Sequence, residues 1–312
     1  MFISRRIVAL AAVPLLLLVA CGEETNETVP AEAPAASEVP AATEAPVVTQ
    51  AAAADAAPQA IVSLSPTATE ILFAIGAGSQ VVAVDDQSNF PADAPITDLS
   101  GFEPNTEAIA GYDPDLVVVA YDGDVVTGLE ELEIPVLVQG PAVTIDDTYA
   151  QIAELGELTG HIDEAAALVS QMRTDIDALV AGLPARAEPV TFFHELDDTL
   201  YSASSATFIG QMYGVLGLIN IADEVDTAET GGYPQLSAEY LLQADPDLIF
   251  LADTKCCGQS AETVAARPGW EALTAVTSGR IILLDDDIAS RWGPRVVDFL
   301  ATIADAVQTV PV

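Results

Sequence analysis

The sequence predicts an α/β protein of two lobes with mainly parallel sheets, joined by a single long backbone helix, with a ligand cleft between the lobes. Three observations carry this. Residues 105–119 and 237–251 are two copies of one pattern, and the Glu107-to-Glu239 and Asp113-to-Asp245 spacings are both 132, so the register holds without a gap. Apolar β-branched runs alternate with helical periods on either side of the chain's middle. Between the two copies, from Asp146 to Ala181, the pattern is helical with one break at Thr159-Gly160.

Each copy reads the same way. A polar cap, Asn105 or Ser237, precedes a short helix with a glutamate in its first turn, Glu107 or Glu239. An Asp-Pro-Asp sequence then stops the helix, because a proline disfavours helical geometry in the residue before it. Leu116–Val119 and Leu248–Leu251 follow as continuous apolar runs, as expected of strands buried on both faces.

The first lobe opens with a strand over 61–65. Ser65-Pro66-Thr67 starts a helix in which Thr67 and Glu70 have the spacing of a capping box. Gly76-Ala-Gly78 stops that helix, and Val81–Val84, Leu116–Ala120 and Ile134–Val138 supply further strands. In the helical middle, Asp163 is placed to cap the second piece, whose apolar face reads Ala166, Val169, Met172, Ile176 and Val180. At about 1.5 Å per residue its roughly 19 residues span nearly 30 Å, a stiff connector. The second lobe follows with a strand from Val190 to Phe193 and a helix from Thr207 to Val215. After the second repeat copy come a helix over Trp270–Val276, a strand over Ile281–Leu284 and a closing helix over Val296–Val307.

The N-terminus reads as a targeting segment. Arg5 and Arg6 precede the apolar run Ile7–Ala20, which is too short and interrupted for a comfortable membrane span. It ends in Leu18-Val19-Ala20-Cys21, which looks like a bacterial lipobox whose cysteine becomes the acylated N-terminus. Residues 22 to about 58 are Ala, Pro, Glu and Thr, a composition that cannot offset chain entropy by burial. The expected organisation is therefore a lipoprotein signal peptide over 1–20 and an acidic tether over 21–58. An N-terminal lobe over 59–145, helices including the connector over 146–182 and a C-terminal lobe over 183–312 complete it. A net charge of −39, from 9 Lys and Arg against 48 Asp and Glu, argues against nucleic acid and anionic lipid as partners and suits a saline habitat. Only seven basic residues follow Cys21, namely Arg173, Arg186, Lys255, Arg267, Arg280, Arg291 and Arg295, so each is a candidate for a specific role.

Ser63-Leu-Ser-Pro66 with Thr69-Glu70, the paired Glu-to-Pro-Asp units, the single connecting helix and Gly217-Leu-Ile-Asn220-Ile221 together carry a family likeness. Over roughly residues 60–310 the chain resembles the helical-backbone metal receptors, the substrate-binding lipoproteins that feed ABC importers of ferric siderophores, haem and cobalamin. The resemblance implies two Rossmann-like lobes and no reaction. It implies an ABC permease and ATPase as partners, a metal-chelate cargo and an extracytoplasmic place on a lipid anchor. It also implies that Glu107 and Glu239 each meet an arginine pocket on the permease, where carboxylate–guanidinium pairing fixes orientation. A ferric siderophore is the expected cargo, with cobalamin or haem as alternatives.

Cleft-facing candidates lie on loops after the strands. They are Tyr121 and Asp122; His194 and Tyr201; Tyr233; the pair Cys256-Cys257; and Arg291, Trp292 and Arg295. The last cluster is the strongest, since arginines pair with anionic chelates and an indole stacks on a flat organic face. Its alternative role is internal, with both arginines neutralised by Asp285, Asp286 and Asp287. With only two histidines in the chain, direct metal binding is not expected, no cofactor is called for, and the cargo would bring its metal already wrapped. Once Cys21 is acylated, Cys256 and Cys257 have only each other. Adjacent Cα atoms lie about 3.8 Å apart against a usual disulfide span of about 4.4–6.8 Å, so a vicinal bridge there would form a stiff apolar wall at the cleft. An enzyme is the rival reading, but His194-Glu195 beside Ser202, Ser204 and Ser205 lacks a nucleophile elbow, and the phosphate-loop and dinucleotide fingerprints are missing.

Overall fold

The computed structural model describes residues 57–312; Cys21, the targeting segment and nearly all of the tether lie outside them. β1 (Ile61–Leu64) is buried at every position and runs directly into α1 (Pro66–Ala74). Ser65 caps α1 by accepting from the Ala68 backbone N–H, and Pro66 takes the first helical position, where a missing N–H costs nothing. This corrects the expected capping box: Thr67 is already inside the first turn, and the Glu70 carboxylate has other partners. The lobe continues through β2 (Val81–Val84), α2 (Thr106–Ala110), β3 (Leu116–Val119), α3 (Asp124–Glu131) and β4 (Val136–Val138).

The connector is a helical hairpin, α4 (Ile145–Thr159) and α5 (Ile162–Gly182), turned by Gly160 in a left-handed conformation. His161, not Asp163, occupies the cap position of α5, and its side chain makes no cap bond; its ring instead meets the Thr159 carbonyl. The buried face is Ala165, Met172 and Ile176, flanked by Leu168, Val169 and Leu179, while Ala166 and Val180 are exposed. The rotation has a local cause. A Cβ on Gly156 would lie 2.5 Å from the Ala165 Cβ, so the two helices touch at that pair and Ala165 must face inward.

The second lobe holds β5 (Thr191–Glu195), α6 (Phe208–Val215), β6 (Ile219–Asn220), α7 (Ala238–Ala244), β7 (Leu248–Leu251), α8 (Ala261–Ala265), α9 (Thr274–Thr277), β8 (Ile281–Leu283), α10 (Asp286–Ser290) and α11 (Val296–Gln308). The helix expected over Trp270–Val276 is instead a 3₁₀ turn (Trp270–Ala272) and α9, broken at extended Leu273. The Asp245 carboxylate accepts from Thr274 N at 2.6 Å and Thr274 Oγ1 at 2.7 Å, which starts a new helix there.

The two sheets have the same topology, β2-β1-β3-β4 and β6-β5-β7-β8, and every pairing between these strands is parallel. The repeat seen in the sequence is also a repeat of contacts. Asp113 and Asp245 both take left-handed backbone angles, φ 51° and 44°. Asp115 accepts from Gln59 N at 2.8 Å, and Asp247 accepts from Thr191 N at 3.0 Å. Thr191 stands 132 positions after Gln59, so the second aspartate of each Asp-Pro-Asp ties down the start of the central strand of its own lobe. The second lobe is longer where it departs from this register. The helix caps Ser65 and Thr207 are 142 apart instead of 132, so ten extra residues follow β5.

Each sheet has an outer apolar cluster, around Val62, Ile109 and Leu129 in the first lobe and around Phe193, Leu241 and Trp270 in the second. The inner faces share one continuous cluster. It runs from Ile61, Ile71 and Leu72 through Met172 and Ile176 to Phe192, Tyr213, Phe299 and Ile303. The lobes are thus welded through the connector and α11, and the cleft lies above that weld, at the carboxyl ends of the strands.

Candidate functional site

A cavity of about 270 Å³ opens between the lobes. Its first-lobe wall comes from strand ends: Leu64 to Thr67 after β1, Asp85 and Gln87 after β2, and Ala120 and Tyr121 after β3. Gly101 and Phe102 close that side, and the glycine is required, because a Cβ there would lie 2.6 Å from Asp85 Oδ2 and 2.9 Å from the Leu64 carbonyl. The second-lobe wall is Asp287 and Ser290 of α10 with Arg291 and Trp292.

The motif Thr69-Glu70 builds the floor. Thr69 is buried and bonds Ser63 Oγ at 2.9 Å and Ser88 Oγ at 3.0 Å, which knits β1, α1 and the β2 loop together. Glu70, next to it, reaches the other lobe. Its Oε1 accepts from Arg291 Nη1 at 2.8 Å, its Oε2 accepts from Arg295 Nε at 2.9 Å, and Arg295 Nη2 closes a second prong on Oε1. Arg291 also donates to the Gln87 carbonyl, Asn89 and Asp287. Arg295 lies over the Phe90 ring, 4.3 Å from its centroid. Both arginines are therefore neutralised chiefly by a first-lobe glutamate, with only Asp287 of the expected aspartates taking part. Asp285 and Asp287 instead hold Lys255, at 2.8 and 2.9 Å.

Of the residues singled out from the sequence, Tyr121, Arg291 and Trp292 line the cavity. Trp292 is fixed by donating from its indole N–H to Gln151 Oε1 at 3.0 Å, while Thr148 Oγ1 donates to its carbonyl. Tyr233 is about half exposed and is not among the residues lining the cavity; partial burial, and then the Tyr121 phenol, push its hydroxyl pKa up. Tyr201 is exposed beside it, bridged to Gln235 through the backbone. Asp122 is exposed and accepts only from the Gly123 N–H. Arg295 lies behind the wall, on Glu70.

Two expectations are corrected. His194 does not follow its strand but lies within β5, with no exposed surface; its Nδ1 meets the Tyr213 hydroxyl at 2.7 Å, and burial pushes its pKa down to about 3. It belongs to the core, not to the cleft. Cys256 and Cys257 are bonded to each other, but the bridge is exposed and is not among the residues lining the cavity. The Asp286 carboxylate takes the Lys255 and Cys256 backbone N–H groups and draws this loop toward α10.

Phe102 was missed by sequence reasoning. It is 77 % exposed at the mouth of the cavity, and as a lone aromatic in a turn it carries no periodic signal. Behind the second-lobe rim, Arg267 holds fully buried Glu195 at 2.6 Å, and next to it Asp253 is buried with both oxygens lacking a partner among the described residues. Burial first, and then the Glu195 charge, raise Asp253 to about 7.

Glu107 and Glu239 are both exposed, in the first turns of α2 and α7, and their side chains have no partner among the described residues. The caps match too: Asn105 accepts from Ala108 N at 2.9 Å, and Ser237 from Tyr240 N at 3.1 Å. Among the described residues no group of three or more His, Cys, Asp or Glu is arranged to hold a metal ion, and no helix is long and apolar enough to cross a membrane.

Comparison with known proteins gives a consistent picture. The profile of the family described as periplasmic binding protein matches residues 61–288. An ABC transporter substrate-binding lipoprotein of Bacillus subtilis, YvrC, is 29 % identical over 260 residues, which is 80 % of each chain. A cobalamin-binding protein of Halobacterium salinarum is 30 % identical over 268 residues, covering 83 % of this chain and 72 % of that one. The crystal structure of a possible iron-binding, periplasmic solute-binding protein from Staphylococcus epidermidis superposes with a TM-score of 0.70 at 27 % identity, covering 80 % of this chain and 98 % of the other. These relatives are named as binding proteins, not as enzymes.

Proposed function

We propose that this chain, which belongs to the periplasmic binding protein family, captures a cobalamin-type corrinoid outside the cell and delivers it to an ABC importer. The observation that carries the choice of cargo is the Glu70 pairing. Haem, or a ferric siderophore of the catecholate or carboxylate type, would bring negative charge, and in the sequence the Arg291–Arg295 cluster was the strongest candidate to meet an anionic chelate. Both arginines are taken by Glu70, and Lys255 by Asp285 and Asp287, so an anionic chelate entering this cleft meets the carboxylates Asp85 and Asp287 without a free cation. Phe102, Tyr121 and Trp292 offer flat apolar faces, and the carboxylates accept from amide N–H groups. That combination suits a planar macrocycle fringed with neutral amides. The name of the Halobacterium salinarum relative supports the same reading. The cargo carries its own metal, and the protein needs no cofactor.

The test is calorimetric titration of the full-length protein with cyanocobalamin, haem, an anionic ferric catecholate and a neutral ferric hydroxamate. Saturable binding of cyanocobalamin with Kd below about 1 μM, and none of the other three, is the expected result. Preferential binding of any of those three would sink the choice of cargo while leaving the receptor reading in place.

Delivery rests on Glu107 and Glu239. Two unpartnered carboxylates in equivalent turns of two rigidly joined lobes form a two-point key for guanidinium pockets on a permease. Cys21 is proposed as the lipidated residue that keeps the receptor at the membrane. Charge reversal, Glu107→Lys with Glu239→Lys, is expected to abolish uptake while leaving cargo affinity unchanged; uptake at the normal rate would refute the docking role.

A further inference from the structure

Resting on the corrinoid reading, we propose that Asp85 makes the cleft select an amide over the corresponding acid at the edge of its cargo. Asp85 is the first residue after β2, and its backbone N–H donates to the Ser63 carbonyl at 3.1 Å. Its Oδ1 accepts from the Gln87 N–H at 3.2 Å, while its Oδ2 has no donor among the described residues. The residue is only 1 % exposed, but Oδ2 is not one of the sealed atoms that lack a partner, so its remaining surface opens onto the cavity that Asp85 lines. Both oxygens of buried Asp253, by contrast, are sealed.

Asp85 differs in this from the other carboxylate of the cavity wall. Asp287 has both oxygens taken, Oδ1 by Arg291 at 3.1 Å and Oδ2 by Lys255 at 2.9 Å and Asn89 at 3.1 Å. Arg291, the cation in the same wall, is held by Glu70, Asn89, Asp287 and the Gln87 carbonyl. Gly101 keeps the free oxygen open. Its φ lies outside the left-handed region, so its backbone does not call for glycine, yet a Cβ there would stand 2.6 Å from Oδ2. The position is small for reasons of space, and it leaves that oxygen uncovered.

An ionised carboxylate oxygen accepts hydrogen bonds and donates none. A side-chain amide of the macrocycle brings an N–H to it, and a charge-assisted hydrogen bond forms. An acid in the same place brings a second carboxylate. No free cation in the wall balances the pair, so repulsion replaces attraction at an atom largely closed to water. A site built to accept a hydrogen bond discriminates more sharply than an apolar wall does. Selection therefore falls on one position at the corrinoid edge, while Phe102 and Trp292 offer the ring the same faces in either case.

The test titrates the full-length protein calorimetrically with cyanocobalamin and with its separated monocarboxylic acids, each made by hydrolysis of one side-chain amide. Titrations run at about pH 8, because burial raises the Asp85 pKa, against the hydrogen bonds from Ser88 and Gln87, and the charged form is under test. At least one acid is expected to bind about tenfold or more weakly than the parent. In Asp85→Asn the Gln87 N–H keeps the asparagine Oδ1, which turns Nδ2 toward the cavity as a donor, and the ratio for that acid should fall to about threefold or less. Crystals of the wild-type complex are expected to place an amide nitrogen of the cargo within about 3.2 Å of Asp85 Oδ2. Equal wild-type affinity for the parent and every acid would overturn the proposal. So would a ratio that survives Asp85→Asn or, should that variant not fold, a wild-type complex with no cargo nitrogen at Oδ2. Failure of cyanocobalamin itself to bind would instead remove the corrinoid reading, and this inference with it.

Discussion

Glu70 of the first lobe accepts a two-pronged hydrogen bond from Arg295 of the second, with Nε 2.9 Å from Oε2 and Nη2 on Oε1. The pair is nearly buried, with the Glu70 side chain 1 % and the Arg295 side chain 16 % exposed, and Arg291 shares Oε1. Glu70→Gln keeps the shape and removes the charge, leaving two largely buried guanidinium groups with no other carboxylate on Arg295 and only Asp287 on Arg291. Loss of one partner from a buried charge cluster typically costs about 3–5 kcal/mol. Urea unfolding is expected to show a loss of that order; a change below about 1 kcal/mol would mean that the clamp adds nothing net to stability.

Two buried groups are expected to tilt the pH profile of stability in opposite directions. Asp253 is raised to about 7, chiefly by burial, above an unfolded value near 3.8. Its contribution is therefore fully present below about pH 4 and is lost as pH rises through 7. His194 is lowered to about 3 by burial from 6.5, so its contribution is present above about pH 6.5 and is lost as pH falls toward 3. Between pH 4 and 6.5 the two slopes oppose each other. Asp253→Asn should raise stability relative to wild type at pH 8, by up to about 4 kcal/mol, and expose the acid-side loss due to His194. His194→Gln should do the reverse, gaining relative to wild type as pH drops. Parallel profiles for all three proteins would remove the assignment.

The cleft aromatics should separate affinity from stability. Phe102 is 77 % exposed, so Phe102→Ala is expected to leave the melting temperature unchanged and to weaken cyanocobalamin about tenfold, the worth of one lost stacking face. Trp292→Ala should weaken binding by a similar factor and also destabilise, because the indole N–H holds Gln151 on α4. Calorimetry and melts on the two variants check both. Unchanged affinity in Phe102→Ala would place the cargo elsewhere.

The aspartate ties should behave as a matched pair. Asp115→Ala frees the Gln59 and Ala60 N–H groups, and Asp247→Ala frees the Thr191 N–H and hydroxyl. Each should cost about 1–2 kcal/mol, with the Asp247 variant somewhat worse because its site is more buried. If Asp115→Ala is the costlier of the two, the equivalence of the lobes does not extend to energetics.

The sequence made the repeat legible because Asp-Pro-Asp followed by an apolar run dictates its local structure without help from the rest of the chain. It also made the strand–helix alternation and the connector legible, since these rest on periodicity. What it hid is long-range. Arg291 and Arg295 stood out as rare cations, but their partner lies more than 200 residues earlier, and Glu70 carried the spacing of a local cap that Ser65 in fact supplies. In α5 the centre of the face, Val169, Met172 and Ile176, was legible, but its ends were read one residue out, with Ala166 for Ala165 and Val180 for Leu179; at the first of these the Gly156–Ala165 contact between two helices decides, which no single-helix pattern contains. His194 was placed after its strand because the apolar run that marks the strand ends at Phe193; the partners of His194 and Glu195, Tyr213 and Arg267, come from other elements.

The apolar cluster that runs unbroken from Ile61 through Met172 to Phe299 sets how this receptor signals. Lobes welded in this way have little relative movement with which to distinguish loaded from empty. If Glu107 and Glu239 present the same two-point key in either condition, an importer cannot recognise a full receptor by its posture. The message of occupancy then has to be written by the cargo, as new surface filling the mouth between Phe102 and Trp292, and empty receptors will compete with loaded ones for the same gate.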